Sequence, residues 1–446
     1  MAVELKDLAP LMLKKERANG DIDPIVLTNV LRDGFAANNH RKQLVEMIER
    51  HPVLSDRDMM FRNHTERYNF GMKKVAHFVR FIKDQGIVDH DEQDILYAAL
   101  GEPLCIDVHN SMFIPTLENQ GTDEQRAKWL PLAKSYKILG AYAQTELGHG
   151  SNVQGIETVA TYDKANQEFI VDSPTLTSRK WWPGGLGKTA NHAIVHARLF
   201  LDGKDVGVQA FLVQIRSMED HQPLPGIEVG DIGPKVGFNA IDNGYCAFHK
   251  VRIPRGNMMM RYAKVLPDGT FVKPKSDKLV RGARIVFALA SQMKATKNDG
   301  NACMVLMTRA STAHAELLLL DSFIRGVKTL AIGPEREAVA NLCSLFGAWL
   351  ITKSLGDFRQ HDYLSSNQAD FVRDQVVRLL PIVRKNCVLL TDAWDFSDFE
   401  LNSTIGRYDG DIYRALVKRA ADEPLNASEV PKGYEEYLKP LIQSVL

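Results

Sequence analysis

Two stretches of the chain combine residue types that suit a planar, polar ligand. Residues 141–150, Ala-Tyr-Ala-Gln-Thr-Glu-Leu-Gly-His-Gly, put small, hydroxyl and amide residues before a Gly-His-Gly turn, where backbone N–H groups can approach a ligand. Residues 178–189 set Trp181 and Trp182 beside three glycines, so that a ring system could lie against an indole. The alternative is two tight turns of an antiparallel sheet with a tryptophan filling the core, and spacing alone does not decide between them.

Length and composition set the broad class. The chain has 446 residues, 45% hydrophobic and 25% charged, which are values of a globular protein with two to three domains. Basic and acidic side chains balance at 55 each, so no bulk attraction to nucleic acid or to an anionic membrane is expected. A phosphate-bearing ligand would need a local basic patch instead.

The cysteines and the hydropathy pattern indicate a soluble, intracellular protein. The five cysteines are scattered and odd in number, without Cys-x-x-Cys spacing, which favours free thiols over a disulfide framework or a zinc site. No apolar run reaches the length of a membrane span, and the start Met-Ala-Val-Glu-Leu-Lys is not typical of a signal peptide.

The hydrophobic period changes twice along the chain and predicts three domains. A helical period holds at first, a period of two follows from about residue 140 to 271, and the helical period returns from about residue 281. We therefore expect an α+β protein with a helical N-terminal domain (residues 1–138), a central antiparallel β domain (139–275) and a C-terminal helical domain (276–446). The second should be a small barrel or sandwich with ligand loops at one rim.

Within these domains the pattern predicts individual elements. Thr122-Asp-Glu-Gln is a capping box, Gly86 should end one helix, and either Asp89 or Asp91 should cap the next. The predicted helices are Pro24–Leu31 and residues 41–48, 72–82, 302–320, 337–352 and 371–389. The predicted strands are residues 158–162, 168–171, 192–199 and 208–213, and Val251–Pro254.

Several other motifs are weak or absent. Gly187-Lys-Thr is not a P-loop, because Trp182 stands where that motif needs glycine. His90 lies among acidic residues, which is more typical of a solvated helix start than of a metal site, and no metal is predicted. His109 alone is more often a hydrogen-bonded core histidine than a ligand-binding one. Four lysines could meet the phosphates of a ligand or form a solvated loop: Lys264, Lys273, Lys275 and Lys278.

Three longer motifs carry a resemblance to a known family. Residues 142–151 (Tyr-Ala-Gln-Thr-Glu-Leu-Gly-His-Gly-Ser), residues 180–188 (Lys-Trp-Trp-Pro-Gly-Gly-Leu-Gly-Lys) and residues 223–235 (Pro-Leu-Pro-Gly-Ile-Glu-Val-Gly-Asp-Ile-Gly-Pro-Lys) resemble the flavin-binding segments of peroxisomal acyl-CoA oxidases. The likeness covers roughly residues 5–279 and 282–446. It implies an acyl-CoA oxidase/dehydrogenase-like fold with FAD as the cofactor, and a substrate contact at Lys278 and Leu279. The implied cofactor-binding residues are Tyr142, Ala143, Gln144, Thr145, Gly150, Ser151 and Gly184.

The resemblance also implies an activity and partners. Members of the family oxidise fatty acyl-CoA to trans-2-enoyl-CoA, with O2 reduced to H2O2, in peroxisomal fatty-acid β-oxidation. The expected partners are fatty acyl-CoA and a second subunit, in a homodimer or in a heterodimer with a full-length acyl-CoA oxidase. The chain ends in Ser444-Val445-Leu446, which departs from the Ser-Lys-Leu import signal that many family members carry, so the sequence points to the peroxisome by resemblance and otherwise to the cytoplasm.

One part of the family pattern is missing. The family's catalytic glutamate lies in a Phe-Glu-Gly-Glu-Asn-type segment after a Gly-Gly-His-Gly turn, and neither motif occurs here. After Leu279 the sequence passes directly to a run that resembles the family's last helical domain, so an internal helical bundle is expected to be absent. No catalytic residue is therefore predicted, and catalysis is expected to be impaired or absent. The alternative is a non-catalytic variant that binds a full-length oxidase subunit or acyl-CoA. The resemblance of Arg281–Leu446 to the oxidase branch alone argues against a third interpretation, an acyl-CoA dehydrogenase.

Overall fold

The structure is a computed structural model that describes residues 5–150, 152–273, 304–360, 362–428 and 430–444. Residues group into two units by their contacts. The first unit combines Met1–Glu46 with Ser276–Leu446, and the second is Met47–Lys275. The division into three domains at residues 138 and 275 stays a prediction.

Helices form the beginning and the end of the described chain. Those before the first strand are α1 (Leu5–Asn19), α2 (Pro24–Leu31), α3 (Phe35–Glu49), α4 (His64–Asp84), α5 (His90–Ala98), α6 (Ile114–Gln120) and α7 (Asp123–Lys134). Those after the last strand are α8 (Met304–Thr329), α9 (Pro334–Lys353), α10 (Leu355–Gln360), α11 (Ser366–Asp392), α12 (Asp398–Leu401), α13 (Ile412–Ala421) and α14 (Lys439–Ser444).

Local capping explains where several helices begin. The predicted capping box at Thr122 is confirmed: its side chain accepts from Gln125 N, and the Gln125 side chain accepts from Thr122 N. Asp89 caps α5 as predicted, by accepting from Glu92 N. Asp23 caps α2, whose first residue is Pro24, so this helix has the predicted bounds.

Strands occupy the middle of the chain. They are β1 (Gly140–Ala143), β2 (Val159–Asp163), β3 (Glu168–Asp172), β4 (Lys180–Trp181), β5 (His192–Leu201), β6 (Lys204–Gln214), β7 (Ile227–Asp231), β8 (Gly244–Phe248), β9 (Val251–Pro254), β10 (Lys264–Val265) and β11 (Phe271–Val272). The largest sheet has the order β1-β5-β2-β3-β9, with β6 on the other edge of β5. The others are β4-β8-β7 and β10-β11. The predicted fold class, helices flanking a β-rich middle, is confirmed.

The largest sheet is mixed, whereas the sequence predicted antiparallel strands. β5 runs parallel to both β1 and β2, which share one of its edges. β1 pairs with β5 up to Ala143 opposite Val195, and β2 begins with Val159 opposite Arg198. A break opposite His196 and Ala197 therefore opens in this edge, because the chain leaves the sheet after β1 and returns opposite Arg198, three positions beyond Val195 on β5.

The core of the second unit lies between the sheets. It is built mainly from alternate residues of the long strands, including Val195, Ala197 and Leu199 of β5 and Phe211 and Val213 of β6, all fully buried. Such alternation leaves the opposite faces free for other contacts.

Among the described helices of the chain, none is long and apolar enough to cross a membrane.

Candidate cofactor-binding site

β1 leads into the candidate site and presents its side chains to two different faces. Ala141 and Ala143 are fully buried in the core between the sheets. Tyr142 points to the other face, where its ring lies 4.9 Å from the His196 ring, centroid to centroid. Ala143 therefore has only its backbone to offer a ligand, whereas Tyr142 is half-buried and has a phenol at its tip.

Residues 144–150, named here the cofactor loop, follow β1 and run beside β4. The N–H of Trp181 donates to the carbonyl of Thr145 at 3.0 Å, and Leu147 N donates to Arg179 O at 2.8 Å. The two stretches that the sequence singled out are therefore direct neighbours. The Gln144 carboxamide and the Thr145 hydroxyl, both half-buried, make no hydrogen bond to any residue that the structure describes, so both can pair with a ligand.

The Gly-His-Gly turn closes the cofactor loop. Glu146 and His149 exchange backbone hydrogen bonds, and His149 Nε2 lies 2.9 Å from Glu157 Oε1. Gly150 is exposed, and a Cβ built there would meet nothing within 4 Å. The space around Gly150 is thus open on its Cβ side. Ser151, the next predicted site residue, lies outside the described residues.

A buried ion pair ties the cofactor loop to β4. Glu146 Oε1 and Lys180 Nζ are 2.9 Å apart, and neither side chain is exposed to any extent. Burial lowers the pKa of Lys180 to about 8, and the Glu146 carboxylate opposes that shift. Neither residue was among the predicted site residues, although both stand inside the motifs that predicted the site.

The two tryptophans do not fill the core. Trp181 is half-buried and stacks on Tyr245, with 6.1 Å between ring centroids. Trp182 is 52% exposed and holds a positive φ of 87°, which is unusual for a bulky residue. Three backbone contacts hold this conformation: Trp182 N donates to Gly244 O, Asn243 Nδ2 donates to Trp182 O, and Gly244 N donates to Pro183 O. The alternative of a core-filling tryptophan is therefore wrong, and an indole is left available at the surface.

The glycines after Trp182 are required by packing. A Cβ on Gly184 would lie 2.7 Å from Val108 Cγ2, and one on Gly187 would lie 2.9 Å from Asp231 Cα. The end of the turn is fixed by the buried Asp242 carboxylate, which accepts from Lys188 N, Thr189 N and Thr189 Oγ1. Gly184 is buried, and its N–H has no hydrogen-bond partner in the described part of the chain.

His109 stands behind the site as a structural residue. Its Nδ1 accepts from Gly140 N at 3.0 Å, and its Nε2 donates to Ala133 O at 3.1 Å, so the ring is neutral with its proton on Nε2. Burial lowers its pKa to about 4. The interpretation of His109 as a hydrogen-bonded core histidine is thus supported by both ring nitrogens.

Comparison with known proteins identifies the family. Three family models match in succession: acyl-coenzyme A oxidase N-terminal over residues 23–139, acyl-CoA dehydrogenase middle domain over residues 141–251, and acyl-CoA oxidase over residues 278–443. Peroxisomal acyl-coenzyme A oxidase 1 of Cavia porcellus is 30% identical over 660 residues, which cover 96% of this chain and 99% of that protein. The chain belongs to the acyl-CoA oxidase family.

Solved acyl-CoA oxidases have the same fold. Acyl-CoA oxidase 1 of Arabidopsis thaliana superposes with a TM-score of 0.87 at 27% identity, covering 97% of this chain and 99% of that one. Acyl-CoA oxidase-2 of Caenorhabditis elegans, solved bound with FAD, ascaroside-CoA and ATP, gives a TM-score of 0.85 at 25% identity and covers 98% of each chain. The expected resemblance to acyl-CoA oxidases is confirmed.

Some predicted residues of this acyl-CoA oxidase family member cannot be placed. Lys278 and Leu279, predicted to contact the substrate, lie outside the described residues, as does Lys275. Lys264 is exposed at the start of β10, and Lys273 is exposed just after β11. The basic run stays a prediction. No group of three or more potential metal ligands occurs in the described ranges, and Asp89 in the acidic run acts as a helix cap.

Sequence reasoning missed the residues that shape the site from behind. The missed residues are Glu146, Lys180, His196 and Asp242. Each is buried or nearly so, and each pairs with a position at least 12 residues away. The only available signal was a charged residue inside each motif, since a charge in a buried stretch needs a partner.

Proposed function

We propose that this member of the acyl-CoA oxidase family binds FAD between the cofactor loop and the turn at Gly184, and acts on fatty acyl-CoA. The proposed cofactor contacts are Tyr142, Ala143, Gln144, Thr145, Gly150, Ser151 and Gly184. The proposed substrate contacts are Lys278 and Leu279.

The observation that carries the proposal is the hydrogen bond from Trp181 N to Thr145 O, 3.0 Å long. It makes the two motif segments neighbours, and three unpaired polar groups lie along them: the Gln144 carboxamide, the Thr145 hydroxyl and the Gly184 N–H. A flavin ring carries both acceptors and a donor along its edge, so this donor and acceptor set fits it. The exposed Trp182 indole adds an apolar surface of suitable size.

The residues of the chain would bind and orient, while the cofactor supplies the redox chemistry. Bound FAD supplies the hydride acceptor for conversion of acyl-CoA to trans-2-enoyl-CoA, and its reoxidation by O2 yields H2O2. The Thr145 hydroxyl and the Gly184 N–H would hold the cofactor, and the buried Ala143 keeps the backbone of this segment in the sheet.

We further propose that this chain turns over acyl-CoA poorly or not at all. The family's segment with the catalytic glutamate is missing from the sequence, and the alignment with the Cavia porcellus oxidase spans 660 residues although this chain has 446. That difference supports an absent internal bundle. Without a positioned base, the α-proton of the thioester has no acceptor in the site.

Two measurements on the purified full chain test these proposals. The first records the visible absorption after incubation with FAD and removal of free cofactor. We expect bound FAD, and a colourless protein would overturn the cofactor proposal. The second assays peroxide after addition of a long-chain acyl-CoA in air, with a full-length oxidase as the control. We expect a rate far below the control, and a comparable rate would overturn the missing-base argument.

A second candidate function is a non-catalytic subunit that binds a full-length oxidase. It is favoured by α8, where the consecutive residues Leu317, Leu318 and Leu319 are 62%, 50% and 61% exposed. Exposed leucines in succession leave apolar area on this helix that a second subunit could cover, and this supports the candidate. Co-purification of a tagged chain with a full-length oxidase tests this function, and a chain that stays monomeric in the mixture would contradict it.

The proposed location is the peroxisome, and the proposed state includes a homodimer. The Cavia porcellus and Arabidopsis thaliana relatives are both named peroxisomal acyl-coenzyme A oxidase 1. Imaging of a chain with an internal fluorescent tag, beside a peroxisomal marker, tests the location. A diffuse signal would contradict it.

A further inference from the structure

We infer that Glu146 and Lys180 are positioning residues: their ion pair fills the break between β1 and β2 and thereby sets where Thr145 stands in the cofactor site. The consequence for FAD rests on the proposed function, whereas the geometry of the pair does not. Neither residue is proposed to touch the cofactor.

The break exposes a backbone carbonyl that a strand would normally pair. β1 ends opposite Val195 and β2 begins opposite Arg198, so His196 faces the gap with no residue of either strand opposite it. Arg198, two residues further along, donates its N–H to Thr158 O on this edge. Because alternate residues of a strand direct their backbone groups to the same edge, the N–H and C=O of His196 point to this edge too. The Lys180 ammonium donates to His196 O at 2.7 Å and so takes the place of the missing strand.

The same ammonium reaches into the cofactor loop. Besides His196 O, Lys180 Nζ contacts Glu146 Oε1 at 2.9 Å and Gln144 O at 3.4 Å. Its three N–H donors therefore meet three acceptors. Gln144 and Glu146 flank Thr145, so the lysine holds a backbone carbonyl on one side of the proposed cofactor contact and a side-chain carboxylate on the other.

The Glu146 carboxylate is also held by residues at the far end of the segment that connects β1 to β2. Glu146 Oε1 accepts from Thr158 N at 2.9 Å and from Thr158 Oγ1 at 2.5 Å, and Oε2 accepts from Glu157 N at 2.8 Å. Those donors stand just before β2. The Glu146 side chain thus holds the residues just before β2 in place. Lys180 connects this carboxylate to β5 through His196 O.

Burial makes this arrangement sensitive to single substitutions. Both side chains are fully removed from solvent, so loss of one leaves the other charge without compensation. Loss of both leaves two neutral side chains and no uncompensated charge. If the pair serves stability alone, the double variant should recover folding, protection of the cofactor loop against amide exchange, and FAD affinity. If the pair positions the loop, the double variant should recover folding only.

The experiment compares Lys180→Met, Glu146→Gln and the double variant with the unmodified full chain. Arg252→Met is the matched control, because Arg252 pairs with Asp163 and Glu168 at the β3–β9 edge of the same sheet and its side chain is 48% exposed. Circular dichroism first establishes a temperature at which every variant is folded. Amide hydrogen exchange of Leu147, Gly148 and Trp181 is then measured without FAD, followed by the dissociation constant and visible spectrum with FAD.

In the double variant we expect folded protein, with exchange at Leu147 and Gly148 accelerated by about tenfold or more while Ile194 in β5 keeps its protection. FAD binding should weaken by about tenfold, with a changed visible spectrum, and Arg252→Met should change neither property. Wild-type loop protection and affinity in the double variant would overturn the inference. If the unmodified chain binds no FAD, the proposed function fails, and the exchange comparison alone still decides the role of the pair.

Discussion

Gly184 Cα faces Val108 so closely that a Cβ at position 184 would lie 2.7 Å from Val108 Cγ2. The sequence suggested that glycines let a ligand approach this turn. Gly184 is also required because the helical segment around Val108 leaves no room for a Cβ. The close contact connects the cofactor turn to the segment around residue 108, and it makes the requirement for glycine testable in the absence of any cofactor.

Gly184→Ala should therefore destabilise the chain by about 2 kcal/mol through overpacking. Thermal unfolding measures this change. The double variant Gly184→Ala/Val108→Ala, which removes the opposing methyl group, should recover part of the loss. Gly150→Ala is the matched control, since a Cβ there meets nothing within 4 Å. Equal melting temperatures of Gly184→Ala and Gly150→Ala would contradict the packing argument.

Thr145→Val should weaken FAD binding by about tenfold, because it removes the unpaired hydroxyl but keeps the side-chain shape. The carbonyl that accepts from Trp181 N is untouched, so the melting temperature of the cofactor-free chain should not fall. Titration of FAD, followed by flavin fluorescence, measures the affinity. Thr161→Val, on the exposed side of β2, serves as the control. Unchanged affinity in Thr145→Val would remove this hydroxyl from the site.

Asp242→Asn should destabilise the end of the glycine turn by about 2 kcal/mol. The carboxylate accepts from two backbone N–H groups and one hydroxyl, and a neutral amide replaces these charge-assisted hydrogen bonds with weaker ones. Chemical denaturation measures the free energy of unfolding. Asp202→Asn, at an exposed hairpin, should have no effect. An effect of the same size at both positions would argue against a specific role for Asp242.

Acid should destabilise the chain through three histidines that are buried in the neutral form. Burial lowers the pKa of His109, His192 and His196 from 6.5 to about 4. The unfolded chain takes up a proton at each near pH 6.5, and the folded chain does so only near pH 4. Stability is therefore full above pH 6.5 and falls as the pH decreases toward 4, by up to about 3 kcal/mol for each histidine.

His109→Gln isolates one of these contributions. A glutamine amide has both a donor and an acceptor for Ala133 O and Gly140 N but no proton to gain in this range. The free energy of unfolding of this variant should depend less steeply on pH between 6.5 and 4 than that of the unmodified chain. A pH profile of His109→Gln parallel to that of the unmodified chain would refute this account of His109.

Elements with local signals were predictable from the sequence. α2 and β9 have the predicted bounds, because Pro24 with its Asp23 cap, and the short β-rich run at Val251, mark them locally. α4 was predicted as residues 72–82 and runs from His64 to Asp84, since its start depends on a capping box of Asn63 and Glu66 rather than on apolar spacing. Helix existence was thus easier to predict than helix length.

Strand direction and side-chain pairing were not predictable. A period of two is the same in parallel and antiparallel strands, so nothing in β1 or β2 announces that both run parallel to β5. Glu146 and Lys180 stand 34 positions apart, and only the pairing of the cofactor loop with β4 brings them together. The motifs did identify the two neighbouring segments of the candidate site, but not the buried charges that join them.

The break in the β5 edge also bears on how this region can change. The segment between β1 and β2 has both ends fixed by register, with Ala143 opposite Val195 and Val159 opposite Arg198. β1 and β2 therefore resemble one strand along the edge of β5 with an insertion between its two halves. Residues gained or lost inside that insertion, away from its hydrogen bonds to β4, would leave the register of β1 and β2 on β5 unchanged. The insertion is therefore a segment whose length can differ between related proteins, provided that a carboxylate and an ammonium still meet at its base.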